Sequence, residues 1–257
     1  MRYFLEVAYK GTRYSGFQVQ ENAITVQSEI ERALKIFFRT EFKLTGSSRT
    51  DAGVHALQNY FHFDFDTPIQ QKELYNVNSI LPEDIVINSI SLMQQKDGGE
   101  WPHARFDAIS REYKYYVLQR KDPFRKETSY YYPYKIDFES LQQAAMVIAE
   151  YNDFTSFSKR NTQVKTFICS IFESEWKWEE GMMMYRVKGN RFLRGMVRGL
   201  VGTMLQVGRK KISLDEFREI ILARDCSRAD FSAPASGLFL VTVEYPEVYF
   251  SPGMPDP

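Results

Sequence analysis

The chain has 257 residues, 44% of them hydrophobic, which is enough apolar material for one large core or two fused ones. Its 33 Lys and Arg balance 33 Asp and Glu, so the total charge lacks the basic excess that points to a polyanion partner. Cys169, Cys226 and the histidines His55, His62 and His103 have neither metal-ligand spacing nor a disulfide framework, and no apolar run reaches membrane-spanning length.

Residues 2–9 read as a strand with Tyr3, Leu5, Val7 and Tyr9 on one face, and not as a signal peptide. A reducing cytosol is therefore the expected setting. A polar loop follows at 10–21. Thr25 can cap a helix running to about residue 39, with Ile30, Leu34, Ile36 and Phe37 as its apolar side. A short strand over 41–45 leads into a polar loop at 46–56. The next strand alternates Phe61, Phe63 and Phe65 with Tyr60, His62 and Asp64. A helix near 70–79 ends before Leu81 and Pro82, and strands over 84–93 and 104–119 flank a Gly98–Gly99 turn.

The second half runs in a similar order. Asp137 caps a helix over 137–150. Strands over 166–178 and 182–190 meet at a turn around Glu180 and Gly181. A helix over 191–207 and another over 214–224, capped by Ser213 or Asp215, precede a strand over 237–245 and a proline-rich tail expected to be loose. The order lacks the βαβ rhythm of a parallel sheet, so the expected class is α+β with a largely antiparallel sheet. Two α/β halves, residues 1–107 and 108–246, with a tail at 247–257, would share that sheet, with helices on one side and a central cleft.

Loop 46–56, Gly-Ser-Ser-Arg-Thr-Asp-Ala-Gly-Val-His-Ala, holds the densest chemistry. Asp51 can serve as a nucleophile or base, and the plain alternative is a carboxylate that caps a turn. Arg49 lies two residues earlier, so an extended segment points both side chains the same way. His55 invites an Asp–His hydrolase reading, but no serine or cysteine nucleophile motif accompanies it. Arg111, Tyr113 and Tyr115 share one strand face. Residues 181–214 carry Arg186, Lys188, Arg191, Arg194, Arg198, Arg209, Lys210 and Lys211 with no acid. That stretch is either a polyanion surface or a solvated face whose acids come from elsewhere. Arg194 and Arg198 fall one turn apart on the expected helix. The 20 Phe, 16 Tyr and 3 Trp suit a sheet-rich core, and secondarily base-stacking surfaces.

The stretch Arg49-Thr50-Asp51-Ala52-Gly53-Val54-His55 resembles the signature of the tRNA pseudouridine synthase A family. Further matches keep that family's order over residues 2–246: Tyr14-Ser15-Gly16-Phe17-Gln18, Leu81-Pro82-Glu83-Asp84-Ile85, His103-Ala104-Arg105-Phe106, Arg111-Glu112-Tyr113-Lys114-Tyr115, Phe154-Thr155-Ser156-Phe157, Met196-Val197-Arg198 and Gly237-Leu238. Gly199 stands where the family commonly has Asn, and Phe17 where Trp is common.

The resemblance implies a pseudouridine synthase fold and isomerisation of uridine to pseudouridine at positions 38, 39 and 40 of the tRNA anticodon stem-loop. The N1–C1′ bond breaks, the base turns, and C5 joins C1′. No atom is gained or lost, so no cofactor or metal is called for. The target base must leave its stack. The resemblance makes Asp51 the catalytic carboxylate and pairs Arg198 with it. Tyr113 stacks on the flipped uracil, and Leu238 packs its other side. Arg49 enters the space the base leaves. Beside the resemblance, the basic character of Arg194, Arg111 and Arg191 makes them the residues expected to contact RNA. The resemblance also implies a homodimer with one tRNA spanning both subunits. A tRNA-binding chaperone without activity is the alternative.

Overall fold

The computed structural model describes residues 1–160 and 164–250. The expected loose tail beyond residue 250 lies outside the described residues. The chain divides into two compact units, one made of Met1–Ile109 with the segment from Leu240 onward, the other of Ser110–Phe239.

In the first unit, β1 (Arg2–Tyr9) is followed by α1 (Val26–Phe38), which Thr25 caps through the backbone N–H of Ser28. The expected strand over 41–45 shrinks to β2 (Thr45–Gly46), which pairs with β3 (His55–Asp64). Phe65 lies just beyond β3. Then come α2 (Leu74–Ile80), after a 3-10 turn at Gln71–Glu73, and β4 (Ile85–Leu92). β1 is central, antiparallel to both β3 and β4, with Leu5 opposite Phe61 and Ile90.

β1 is buried on both faces, where the residue pattern predicts one. Phe4 packs against Tyr60 and Tyr245, and buried Glu6 accepts a 2.7 Å hydrogen bond from the Tyr60 hydroxyl. A buried carboxylate is tolerable only with such partners. The expected strand over 104–119 begins only at Ser110. Residues 103–109 turn instead, because His103 N–H donates to the Asp107 carboxylate (2.7 Å) and Ala104 N–H to His62 Nδ1 (3.1 Å).

In the second unit, β5 (Ser110–Leu118) pairs antiparallel with β8 (Met182–Gly189), and β8 with β7 (Ile171–Glu179). Glu180 and Gly181 both take positive φ (49° and 78°), the two-residue turn that matches strand twist. A two-residue strand, β6 (Tyr130–Tyr131), runs parallel to the end of β5. α3 (Phe138–Ile148) is capped by Asp137, and α5 (Leu214–Leu222) by Ser213 in a capping box with Glu216. Between β8 and α5 lies α4 (Met196–Gly208), which packs on α3. The final strand is Leu238–Glu244. Mixed helices and mostly antiparallel strands place the chain in the expected fold class.

Candidate active-site loop and its supporting residues

Loop 46–56 is pinned from below. Asn59, wholly buried on β3, donates from Nδ2 to the Ser48 carbonyl (3.2 Å) and the Tyr9 hydroxyl (3.1 Å). Its Oδ1 accepts from Ser47 Oγ (2.6 Å) and from the Tyr60 N–H (2.9 Å). The Tyr9 and Thr50 hydroxyls share a hydrogen bond of 2.9 Å. Phe17 N–H donates to the Thr50 carbonyl (3.1 Å), and Val54 N–H closes the turn onto the Asp51 carbonyl (3.2 Å). Four side-chain hydrogen bonds on one buried amide leave no polar atom of Asn59 idle.

The result is an alternation. Ser48 and Thr50 are buried, Arg49 is exposed and Asp51 is half-buried. Arg49 and Asp51 are therefore the less buried residues of this stretch. His55 is buried and accepts a hydrogen bond from Gly11 N–H at Nδ1 (3.1 Å). That bond ties the end of the loop to the N-terminal segment. The same segment is held by Asp84, which takes a 2.7 Å ion pair from Arg13 and a hydrogen bond from the Tyr14 hydroxyl. Burial opposes ionisation of Asp84, but the Arg13 and Tyr14 hydrogen bonds prevail and keep its carboxyl below the usual range.

In the second unit, Arg111, Tyr113, Tyr115 and Val117 form the buried face of β5, with Glu112, Lys114 and Tyr116 less buried between them. Arg111 Nη1 donates to the Asn190 carbonyl (2.9 Å), and Tyr113 meets Phe192 edge-on at 5.1 Å. The Tyr115 hydroxyl donates to the Pro234 carbonyl (2.8 Å), and burial pushes its pKa far up, in keeping with a structural residue.

Arg198 Nε donates to the Ala233 carbonyl (2.7 Å). Residues 230–234 are seated on α4: Asp230 N–H donates to Thr203 Oγ1 (3.0 Å), and Gln206 Nε2 to Asp230 Oδ2 (2.7 Å). The segment leads directly to buried Leu238, so Arg198 and Leu238 are anchored by one stretch of chain.

α4 begins five residues later than the sequence pattern predicts. Gly195 takes φ 75° at its N-cap, and the aliphatic stem of Lys159 lies 3.0 Å from where a Cβ would stand. Arg191 and Arg194 thus precede the helix, and Arg194 is not one helical turn from Arg198 in the expected sense. The basic stretch also divides. Arg186 is ion-paired to Glu112 (2.7 Å) and Glu173 (2.5 Å), Lys210 to Asp137, and Arg209 lies 3.6 Å over the Tyr134 ring. Arg194 is exposed, Arg191 half-buried, and neither has an ion-pair partner among the described residues. Among those residues no group of three His, Cys, Asp or Glu side chains could hold a metal ion, and no helix is long and apolar enough to cross a membrane.

The sequence reading passed over Asn59, Tyr9 and Thr50, which hold the loop. The one available signal was an asparagine in the middle of an aromatic strand.

Residues 151–246 match a family profile described as tRNA pseudouridine synthase. Over 97% of this chain and 98% of the other, the sequence is 45% identical to tRNA pseudouridine synthase A of Parabacteroides distasonis. It is 43% identical, over the same shares, to the protein of that name from Bacteroides fragilis. A more distant relative so named, from Staphylococcus saprophyticus, is 36% identical over 93% of this chain and 89% of its own.

Proposed function

The chain belongs to the tRNA pseudouridine synthase A family, and from that membership we propose that it isomerises uridine to pseudouridine at positions 38, 39 and 40 of the tRNA anticodon stem-loop. It is an enzyme, an intramolecular transferase. The observation that carries this reading is near-full-length identity of 45% to a synthase of that name. The loop Arg49-Thr50-Asp51 supports it, because its carboxylate is half-buried while Thr50 is tied to Tyr9 and the Asp51 carbonyl accepts from the Val54 N–H. A reactive group on a braced segment needs no reordering when substrate arrives.

In this reading Asp51 is the catalytic carboxylate, acting on the sugar carbon C1′ or its neighbour once the base is out of the stack. The N1–C1′ bond breaks, the uracil turns, C5 bonds to C1′, the C5 proton leaves and N1 takes up a proton. Tyr113 and Leu238 serve as the apolar surfaces for the uracil ring. Arg198 is the cation that acts with that carboxylate. Arg49 fills the place of the extruded base, and Arg111, Arg191 and Arg194 meet RNA phosphates. The protein works in the cytoplasm as a homodimer. Family membership favours this over a non-catalytic tRNA chaperone.

The test is release of tritium from tRNA carrying 5-tritiated uridine. An isomerase displaces that hydrogen into water and leaves the RNA chain intact. A chaperone releases none, and a hydrolase cuts the chain or frees uracil.

A further inference from the structure

We propose that the turn at residues 119–126 is a second tRNA-contact site, in which Phe124 stacks on an unpaired nucleobase and Arg120, Lys121 and Lys126 meet the flanking phosphates. The proposal rests on tRNA being the substrate. Phe124 is 94% exposed, the most exposed large apolar side chain among the described residues. A single exposed apolar side chain is ordinary. What sets this one apart is the turn beneath it. Phe124 N–H donates to Asp122 Oδ1 (2.9 Å), Arg125 N–H to the Asp122 carbonyl (3.3 Å) and Thr128 N–H to the Arg125 carbonyl (3.1 Å). Arg125 is ion-paired at 3.0 Å to Glu180 of the β7–β8 turn. The ring is held out by a structured backbone, so much of the ordering cost of binding is met in the fold itself.

The surroundings favour RNA over an apolar partner. The ring borders a cavity of about 410 Å³, whose lining includes Leu118, Lys121, Pro123 and Arg125. Arg120, Lys121 and Lys126 are all exposed and have no acid partner among the described residues, and Lys121 Nζ sits 5.9 Å over the Tyr131 ring. A protein-docking site would surround the ring with further apolar residues. Here the two acids at its rim, Asp122 and Glu180, are taken up by Arg125, and the charges left over are the cations Arg120 and Lys121. An open aromatic face flanked by cations is how single-stranded nucleic acid is held without reading its sequence.

The position separates this site from the uracil platform. Tyr113 and Leu118 are five residues apart on β5, about 17 Å at the strand's rise. The turn starts beyond Leu118, so Phe124 cannot serve the nucleotide that Tyr113 serves. It takes another unpaired base of the same tRNA.

The experiment measures binding of the full-length protein to fluorescently labelled, unmodified tRNA transcript at fixed salt. The variants are Phe124→Ala, Phe124→Leu and Phe124→Trp. Alanine and leucine should each weaken affinity at least five-fold, while tryptophan, which keeps a stacking face, should bind as wild type does. Arg120→Glu with Lys126→Glu should weaken binding and flatten its dependence on salt. Unchanged affinity of Phe124→Ala overturns the proposal. So does a shift in sedimentation that shows the ring joining two copies of the chain. If the wild type binds tRNA through Phe124 yet releases no tritium, the isomerase reading fails while this contact stands.

Discussion

The Tyr9 hydroxyl lies 2.9 Å from Thr50 Oγ1, which ties the first strand to the residue before Asp51. Asn59 supports the same hydroxyl from beneath. Asn59→Leu would leave Ser47 Oγ, the Ser48 carbonyl and the Tyr60 N–H without their amide partner. Each buried polar group so stranded costs about 1–3 kcal/mol, so a loss of about 3 kcal/mol in urea unfolding is the expected outcome. Tyr9→Phe should cost about 1 kcal/mol and lower turnover by loosening Thr50. Equal stability of Asn59→Leu and wild type would remove Asn59 from the support of the loop.

Asp51→Asn keeps the size of the side chain and removes its anionic oxygen. Turnover should vanish while tRNA affinity stays near wild type, because the carboxylate is needed after docking. Substantial pseudouridine formation by a homogeneous preparation of the variant would sink the assignment.

Arg198 and Arg194 are held differently: Arg198 is anchored to Ala233, and Arg194 is exposed ahead of the helix. If Arg198 acts on the catalytic carboxylate, Arg198→Met should lower the single-turnover rate at saturating enzyme while tRNA affinity stays near wild type. Arg194→Met should weaken tRNA binding and leave that rate in place. An unchanged single-turnover rate for Arg198→Met would reduce Arg198 to a structural or phosphate contact.

Gly202 on α4 tests the seat of residues 230–234. A Cβ there would stand 2.2 Å from the Asp230 carbonyl oxygen. Gly202→Ala gains about 1 kcal/mol of helix propensity, but overpacking against a backbone atom costs about 1–3 kcal/mol. Backbone cannot swing aside as a side chain can, so net destabilisation is expected in thermal unfolding. A raised Tm would show that the segment shifts freely.

His62 carries a pH dependence. Burial, followed by the charges of Arg2 and His103, lowers its pKa to about 4, against about 6.5 in the unfolded chain. Between those values the unfolded chain binds a proton that the folded chain does not. The contribution of His62 to stability is therefore complete above about pH 6.5 and is lost as pH falls toward 4, up to about 3 kcal/mol in all. In urea titrations, His62→Gln should flatten the fall in stability across that window. An unchanged slope would assign the dependence to other groups.

The sequence by itself determined the order of elements and the caps of the helices. Thr25, Asp137 and Ser213 cap helices as read, and Glu180–Gly181 makes the hairpin turn. These are signals local to a few residues, where propensity and capping act without help from the rest of the fold. The polar loop carrying Asp51 was legible for the same reason, since a cation, a carboxylate and a glycine between two strands stand out in a line of residues.

Tertiary structure decided what depends on partners far along the chain. Asn59 became the support of the loop only because β1 brings Tyr9 beside it, fifty residues away in sequence. The start of α4 was set by Gly195 and the Lys159 stem, which no periodicity registers. The basic stretch looked uniform until strand register paired Arg186 with Glu112 and Glu173, and until Asp137 took Lys210. Charge counts cannot anticipate that division. An ion pair forms where two backbones place opposite charges within a few ångströms, and that placement belongs to the packed fold.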